Sequence, residues 1–135
     1  MTDRPGPRTV ALILDTSAIA GFARGSLAVG ELLAEIDIEG GRVLVPLPCL
    51  VEAAALITED ELGWLDILLG HAAAQLVVDD PADWRMVAGL HRVVGSYPHA
   101  LAAWLALEYG ADVMTRNPHL YAALGGGGIT LPFDD

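Results

Sequence analysis

The fold of this chain is decided by the stretch Val10-Ala11-Leu12-Ile13-Leu14-Asp15-Thr16-Ser17-Ala18. Its apolar run predicts a strand that is buried on both faces, which is typical of parallel sheets covered by helices. Such sheets bind ligands outside the carboxyl ends of their strands, so Asp15 marks the expected functional crevice. Thr16 and Ser17 supply hydroxyls that can bond this carboxylate or cap the next helix. An Asp after a strand is also a common helix N-cap, and that alternative stays open.

Strand and helix patterns alternate along the rest of the chain. Further strands are expected at 42–45, 76–78, 113–114 and 129–131, and helices at 18–23, 26–38, 46–56, 59–71, 81–94, 99–109 and 118–124. Thr58, with Glu61 three residues later, forms a capping-box pattern that starts one of these helices. We therefore predict a single α/β domain over residues 1–135, with a central, mostly parallel sheet of about four or five strands.

The charge of the chain argues against tight, unspecific binding of nucleic acid. Its net charge is −11, with seven arginines and no lysine. Binding to RNA or DNA gains most of its affinity by neutralising phosphates. An acidic protein can still cut RNA if divalent cations mask its acidic site and a few arginines lie close to it.

The composition also predicts a subunit interface and a cytoplasmic location. Hydrophobic residues make up 53% of the chain, and its mean hydropathy is +0.47. An apolar excess of this kind usually marks an interface, so we expect a homodimer. The single cysteine, Cys49, lies in an apolar segment, so we expect it to be reduced and packed in the core. Residues 1–8 lack the apolar core of a signal peptide, and the longest uncharged stretches, 93–107 and 117–133, are too short and broken to span a membrane.

Four positions would converge at the carboxyl edge of the predicted sheet: Asp15, Glu52, His99 and Asn117. Around them the chain resembles the PIN domain, the family that includes the ribonuclease toxins of bacterial VapBC toxin–antitoxin pairs. The resemblance spans nearly the whole chain and rests on four blocks: Leu14-Asp15-Thr16-Ser17-Ala18, Pro46-Leu47-Pro48-Cys49-Leu50-Val51-Glu52, Pro98-His99-Ala100-Leu101-Ala102-Ala103, and Glu108-Tyr109-Gly110-Ala111-Asp112-Val113-Met114-Thr115-Arg116-Asn117.

The resemblance implies a three-layer PIN-like sandwich and a metal-dependent ribonuclease site. In that family the four positions are normally acidic and hold Mg²⁺ or Mn²⁺, which activates water for phosphodiester hydrolysis. It implies catalytic and metal-binding roles for Asp15, Glu52 and Asn117, whose amide oxygen can still coordinate a metal. Three side chains near the exits of the strands are expected to contact the RNA substrate: Ser17, Thr115 and Arg116.

His99 stands where the third acid of the family is expected. A neutral nitrogen suits transition metals better than Mg²⁺, so Mg²⁺ should bind weakly or not at all, and Mn²⁺ better. A hydrogen-bonded histidine at a helix start is the competing interpretation of His99. Tyr121 is expected in the core or an interface rather than as a platform for stacking bases.

Two functions are therefore compatible with the sequence. The first is a toxin-like ribonuclease of weakened or absent activity, with RNA as substrate and a cognate antitoxin as partner. The second is a catalytically degenerate PIN domain that binds a protein or RNA without cutting it. The two acids Asp15 and Glu52 favour the first, whereas His99 and the negative charge favour the second.

Overall fold

A computed structural model of the chain describes residues 9–125 and 128–135. The N-terminal segment 1–8, whose sequence led us to expect no signal peptide, lies outside the described residues. Within the described part, the strands are β1 (Val10–Leu14), β2 (Arg42–Pro46), β3 (Ala74–Val77), β4 (Asp112–Thr115) and β5 (Thr130–Pro132). The α-helices are α1 (Thr16–Ala23), α2 (Leu27–Ile38), α3 (Leu47–Leu56), α4 (Glu59–Leu69), α5 (Trp84–Val94) and α6 (Tyr97–Tyr109).

The five strands form one sheet in the order β3-β2-β1-β4-β5, and every neighbouring pair is parallel. The connections run outward from β1 in one direction to β3 and then return across the sheet to β4. Because such crossovers are right-handed, α1 to α4 and the pair α5–α6 belong on opposite faces. The predicted α/β class, parallel sheet and layered arrangement are confirmed. The strand order reverses between β1 and β4, and this switch point is where ligands of open α/β sheets bind.

Local sequence signals set most helix starts. Asp15 is the N-cap of α1, where its side chain accepts a hydrogen bond from the Ala18 backbone N–H. Thr58 and Glu61 form the predicted capping box at the start of α4. Each of these side chains satisfies backbone N–H groups that have no partner within the helix.

Two helix predictions needed correction. A short 3₁₀ turn, Pro81–Asp83, precedes α5, so the α-helix starts only at Trp84. The helix expected at 118–124 is a one-turn 3₁₀ helix, Pro118–Tyr121. A short α-helix must overcome a costly nucleus, and the glycines that follow from Gly125 disfavour its extension.

The core lies between the central strands and the helices. The buried side chains of β1 and β2 pack with α6, whose alanines and leucines at 100–103, 105 and 106 are all buried. Small alanines on several sides of one helix let it pack deep in the domain. Cys49 is fully buried, which confirms its expected place in the core. No helix in the described ranges is long and apolar enough to cross a membrane.

Candidate functional site

A crevice of about 230 Å³ opens beside the carboxyl ends of β1 and β4. Its lining residues come from α1, α3, α6 and the 3₁₀ helix after β4: Thr16, Ser17, Glu52, Leu56, His99, Asn117 and Leu120. The fold thus brings together three of the four family positions, Glu52, His99 and Asn117, together with Ser17. Parallel strands that end at one edge explain this convergence from distant parts of the chain.

The fourth position, Asp15, lies beneath this crevice and is completely buried. Its Oδ1 accepts hydrogen bonds from the Ser17 hydroxyl at 2.6 Å and from the Ala18 backbone N–H at 3.1 Å. Its Oδ2 accepts a hydrogen bond from the Tyr121 hydroxyl at 2.9 Å. Asp15 is therefore the helix cap that was one of its two interpretations, and neither of its carboxylate oxygens lacks a partner.

Tyr121 is the site residue that the sequence reasoning missed. Its side chain is fully buried on the 3₁₀ helix, as expected for a core residue, but its hydroxyl points to Asp15. Burial, and then the charge of Asp15, raise the pKa of the Tyr121 phenol, so it remains a neutral donor. A general signal existed, because a buried tyrosine hydroxyl usually finds a polar partner. The sequence did not indicate which partner.

His99 lies in the first turn of α6, where it is the hydrogen-bonded helix-start histidine of the competing interpretation, and it also lines the crevice. Its Nδ1 shares a hydrogen bond of 2.5 Å with the hydroxyl of Ser96, the N-cap of α6. Its ring meets the Tyr121 ring edge to face, with 5.9 Å between the centroids. His99 is thus a hydrogen-bonded ring that packs against the tyrosine whose hydroxyl donates to Asp15.

The structure does not bring Thr115 and Arg116 into the crevice lining. Thr115 is fully buried, and its hydroxyl accepts a hydrogen bond of 3.0 Å from the Asn117 backbone N–H. The Arg116 guanidinium donates to the backbone carbonyl of Asp135 at 2.6 Å and lies 4.7 Å from the ring centre of Phe133. Both side chains therefore serve the local fold here, and contact with RNA would require Arg116 to leave its partners.

Two polar groups near Asp15 are withdrawn from solvent. The Thr16 hydroxyl is buried, and within residues 9–125 and 128–135 it has no hydrogen-bond partner. Cys49 donates its S–H to the carbonyl of Pro98, and burial, followed by the charge of Asp15, raises the pKa of its thiol. A thiol that is held protonated is not a nucleophile. Thr16 lines the crevice, so a ligand or water there could satisfy its hydroxyl.

The arrangement does not fit Mg²⁺ as it stands. Mg²⁺ demands nearly ideal octahedral coordination by oxygen and usually takes carboxylates. Glu52 is the only carboxylate among the lining residues, because Asp15 is buried and hydrogen-bonded beneath them. In the described part of the chain, no three side chains of the His, Cys, Asp and Glu types are grouped to hold an ion. A complete site would need Asp15 to be exposed.

These features define a class of protein. An open parallel sheet with a crevice at its switch point, an Asp after the first strand and a Glu on the helix after the second is the arrangement of a PIN-like domain. His99 and Asn117 line the same crevice. The class is thus that of an α/β domain with a PIN-like fold.

Similar proteins agree with this class. No protein-family model matches the chain. It is 29% identical, over an alignment of 115 residues, to the VapC ribonuclease Mb1587 of Mycobacterium bovis and to ribonuclease VapC11 of Mycobacterium tuberculosis. The alignment covers 78% of this chain and 86% of each relative. The chain is therefore similar to VapC ribonucleases over most of its length.

Proposed function

We propose that this protein is a VapC-type ribonuclease whose activity is weakened by its incomplete acidic site. The observation that carries this proposal is the crevice at the switch point, which Glu52 and Asn117 line together with Ser17, a hydrogen-bond partner of Asp15. The relatives named VapC ribonuclease support RNA as the substrate. The imidazole ring of His99 in place of an acid supports the weakened activity.

The proposal assigns a role to each site residue. Asp15, Glu52 and Asn117 would be the catalytic and metal-binding residues, and Ser17 would fix Asp15 while it faces the substrate from the crevice wall. Mg²⁺ or Mn²⁺ should bind weakly at this set, because the missing acid removes a ligand and part of the negative field that attracts the ion. Arg116 would meet a substrate phosphate only after it leaves Asp135.

We also propose a homodimer and an antitoxin as partners. An open, mainly apolar depression of about 580 Å³ lies beside the crevice, and Glu52 lines both. Its apolar lining includes Leu47, Val51 and Tyr97, whose side chains are exposed. Burial of this surface against a second copy would account for the apolar excess of the chain. The antitoxin follows from the VapC-like character of the fold and site.

One observation favours a second function. Asp15 is sealed by three hydrogen bonds and is completely buried, so the acid that would start metal binding cannot be reached from the crevice. A PIN-like domain with this site could act as a binding module for a protein or RNA without cleaving it. The two functions differ in whether Asp15→Ala changes RNA cleavage.

The experiment that tests the proposed function restores the third acid. His99→Asp should raise Mg²⁺ affinity and RNA cleavage together, because a negatively charged oxygen ligand would replace the imidazole nitrogen. A unit charge about 4 Å from another contributes about 1–4 kcal/mol at effective dielectric constants of about 80 to 20, so we expect at least about a fivefold gain in affinity. Calorimetric Mg²⁺ titration and an RNA cleavage assay measure the two effects.

Two controls accompany this experiment. His91→Asp makes the same change on an exposed face of α5 and should alter neither measurement. Asp15→Ala should abolish any cleavage that the wild-type protein or His99→Asp shows. Tight Mg²⁺ binding and robust cleavage by the wild type, both unchanged by His99→Asp, would contradict the weakened site and indicate an ordinary active ribonuclease. Cleavage that survives Asp15→Ala would refute the assignment of the site.

A further inference from the structure

Polar side chains in the crevice have hydrogen-bonding capacity that the fold does not use. The Thr16 hydroxyl is buried and has no partner among residues 9–125 and 128–135. The Glu52 carboxylate is half-buried, and no side chain in the same two ranges donates to it or pairs with its charge. The side chain of Asn117 makes no cap bond to the 3₁₀ helix that it precedes. A ligand that supplied the missing partners would be held in one orientation.

The size and walls of the crevice suit one flat ring. Its volume of about 230 Å³ lies below the range of about 300–1,000 Å³ that is typical of pockets for drug-sized ligands. Its apolar walls come from two elements, with Leu56 at the end of α3 and Leu120 in the 3₁₀ helix Pro118–Tyr121. The His99 ring adds an aromatic surface. Proteins hold a single unstacked base of RNA against aromatic and apolar side chains of this kind.

The polar groups of the lining select among the possible bases. A carboxylate only accepts hydrogen bonds, and its two oxygens can accept two parallel ones. Guanine is the RNA base that presents two neighbouring donors on one edge, N1–H and the 2-amino group, and these match Glu52. Its O6 and N7 are acceptors, which match the amide N–H of Asn117 and the hydroxyl of Thr16. An uncharged base is not repelled by Glu52, whereas a phosphate group would be.

We propose that the crevice is a pocket for one guanine base of RNA. Glu52 accepts hydrogen bonds from N1–H and the 2-amino group, and Asn117 and Thr16 donate to the side that carries O6 and N7. The pocket deepens the proposed function, on which it rests for RNA as the ligand, by naming the base that the site selects. This bound state needs no metal ion, and Asp15 keeps its three hydrogen bonds in it. A base here occupies the side chains that would hold an ion, which agrees with weakened cleavage.

Two nucleosides test the pocket in the presence of EDTA. Guanosine and inosine differ only in the 2-amino group, which inosine lacks. In nuclear magnetic resonance titrations of the ¹⁵N-labelled protein, guanosine should shift the backbone signals of the residues that line the crevice. Inosine should bind at least about tenfold more weakly, because one oxygen of the Glu52 carboxylate loses its donor. Equal affinity for the two nucleosides, shifts away from the crevice, or no binding of guanosine would overturn the proposal.

A matched pair of variants tests the role of the carboxylate. Glu52→Gln keeps the shape of the side chain but replaces one acceptor oxygen by a donor, so it should weaken guanosine binding at least about tenfold and remove the preference over inosine. Glu35→Gln makes the same change on the exposed side of α2 and should leave binding unchanged. Guanosine binding that Glu52→Gln does not weaken would overturn the pocket.

Thr16→Val should have opposite effects on stability and on binding. It removes a buried hydroxyl that has no partner, so the ligand-free protein should unfold at a higher temperature than the wild type. The same variant should weaken guanosine binding, because a donor to the base is lost. Thermal unfolding and the guanosine titration measure the two effects. A change in stability alone would overturn the assignment of Thr16 to the pocket, because a merely structural threonine gives that result.

The guanine pocket and the proposed function can fail separately. If guanosine binds with the expected preference and neither the wild type nor His99→Asp cleaves RNA, the pocket stands and the ribonuclease proposal fails. If RNA cleavage depends on Asp15 but guanosine does not bind at the crevice, the pocket is wrong and the ribonuclease proposal stands. If both hold, cleavage should occur beside guanines, and cleavage that is indifferent to the base would overturn the pocket.

Discussion

Replacement of Ser17 by alanine should destabilise the protein through the loss of one charge-assisted hydrogen bond. The Ser17 hydroxyl donates to Asp15 Oδ1 at 2.6 Å and accepts from the Arg116 backbone N–H at 2.8 Å. After Ser17→Ala, the buried Asp15 carboxylate keeps only the donors from Ala18 and Tyr121. The Arg116 residue is exposed, so water can replace the serine at its N–H with little cost.

The magnitude follows from these contacts. A hydrogen bond to a charged group contributes about 1.5–3 kcal/mol, and alanine recovers about 0.5 kcal/mol through its higher helix propensity in α1. The expected loss is therefore about 1–2.5 kcal/mol of the free energy of unfolding. With an unfolding entropy of about 2.1 cal/mol/K per residue, a chain of this length should lose about 4–9 °C in Tm.

Calorimetry and urea unfolding measure this loss, and a double-mutant cycle with Asp15→Asn assigns it. If the bond to the charged carboxylate carries the effect, Ser17→Ala should cost at least about 1 kcal/mol less in the Asp15→Asn background. A loss below about 0.5 kcal/mol in the wild-type background, or equal losses in both backgrounds, would refute the reasoning. Ser17 would then not stabilise the Asp15 carboxylate.

Two further predictions concern the surface. Val51→Glu should turn the proposed homodimer into a monomer, because it places a charge in the apolar depression. Sedimentation at micromolar concentration measures the oligomeric state, and a wild-type protein that is already monomeric would contradict the proposed dimer. The hydrogen bond from Ser26, followed by that from the Ala28 N–H, lowers the pKa of the Asp135 carboxyl. The ionised Asp135 carboxylate therefore stabilises the folded protein at pH values above its unfolded-state pKa of about 4. This stabilisation is lost as the pH falls through its lowered pKa in the folded state. The stability difference between wild type and Ser26→Ala should narrow below about pH 4, and a difference that stays constant down to pH 2 would exclude this linkage.

Much of the fold could be predicted from local sequence because its signals are local. The apolar run 10–14 predicted a strand buried on both faces, and β1 is the central strand of the sheet. The Thr58 and Glu61 pair predicted the start of α4. Such patterns depend on residues within one helical turn or one strand of each other, so they are largely independent of the tertiary contacts made by the rest of the chain. The helix that begins at Pro118 was predicted to reach residue 124 but ends at Tyr121, because the glycines that follow from Gly125 disfavour its extension.

The site itself was only half determined by sequence. The sequence by itself placed Asp15, Glu52, His99 and Asn117 near one edge of the sheet, because parallel strands end there together. Tertiary structure alone decided that the Tyr121 hydroxyl donates to Asp15, since the partner of a buried hydroxyl depends on how segments 106 residues apart dock. The polar groups of a site pair according to distances that the tertiary packing sets, and no spacing along the chain records those distances.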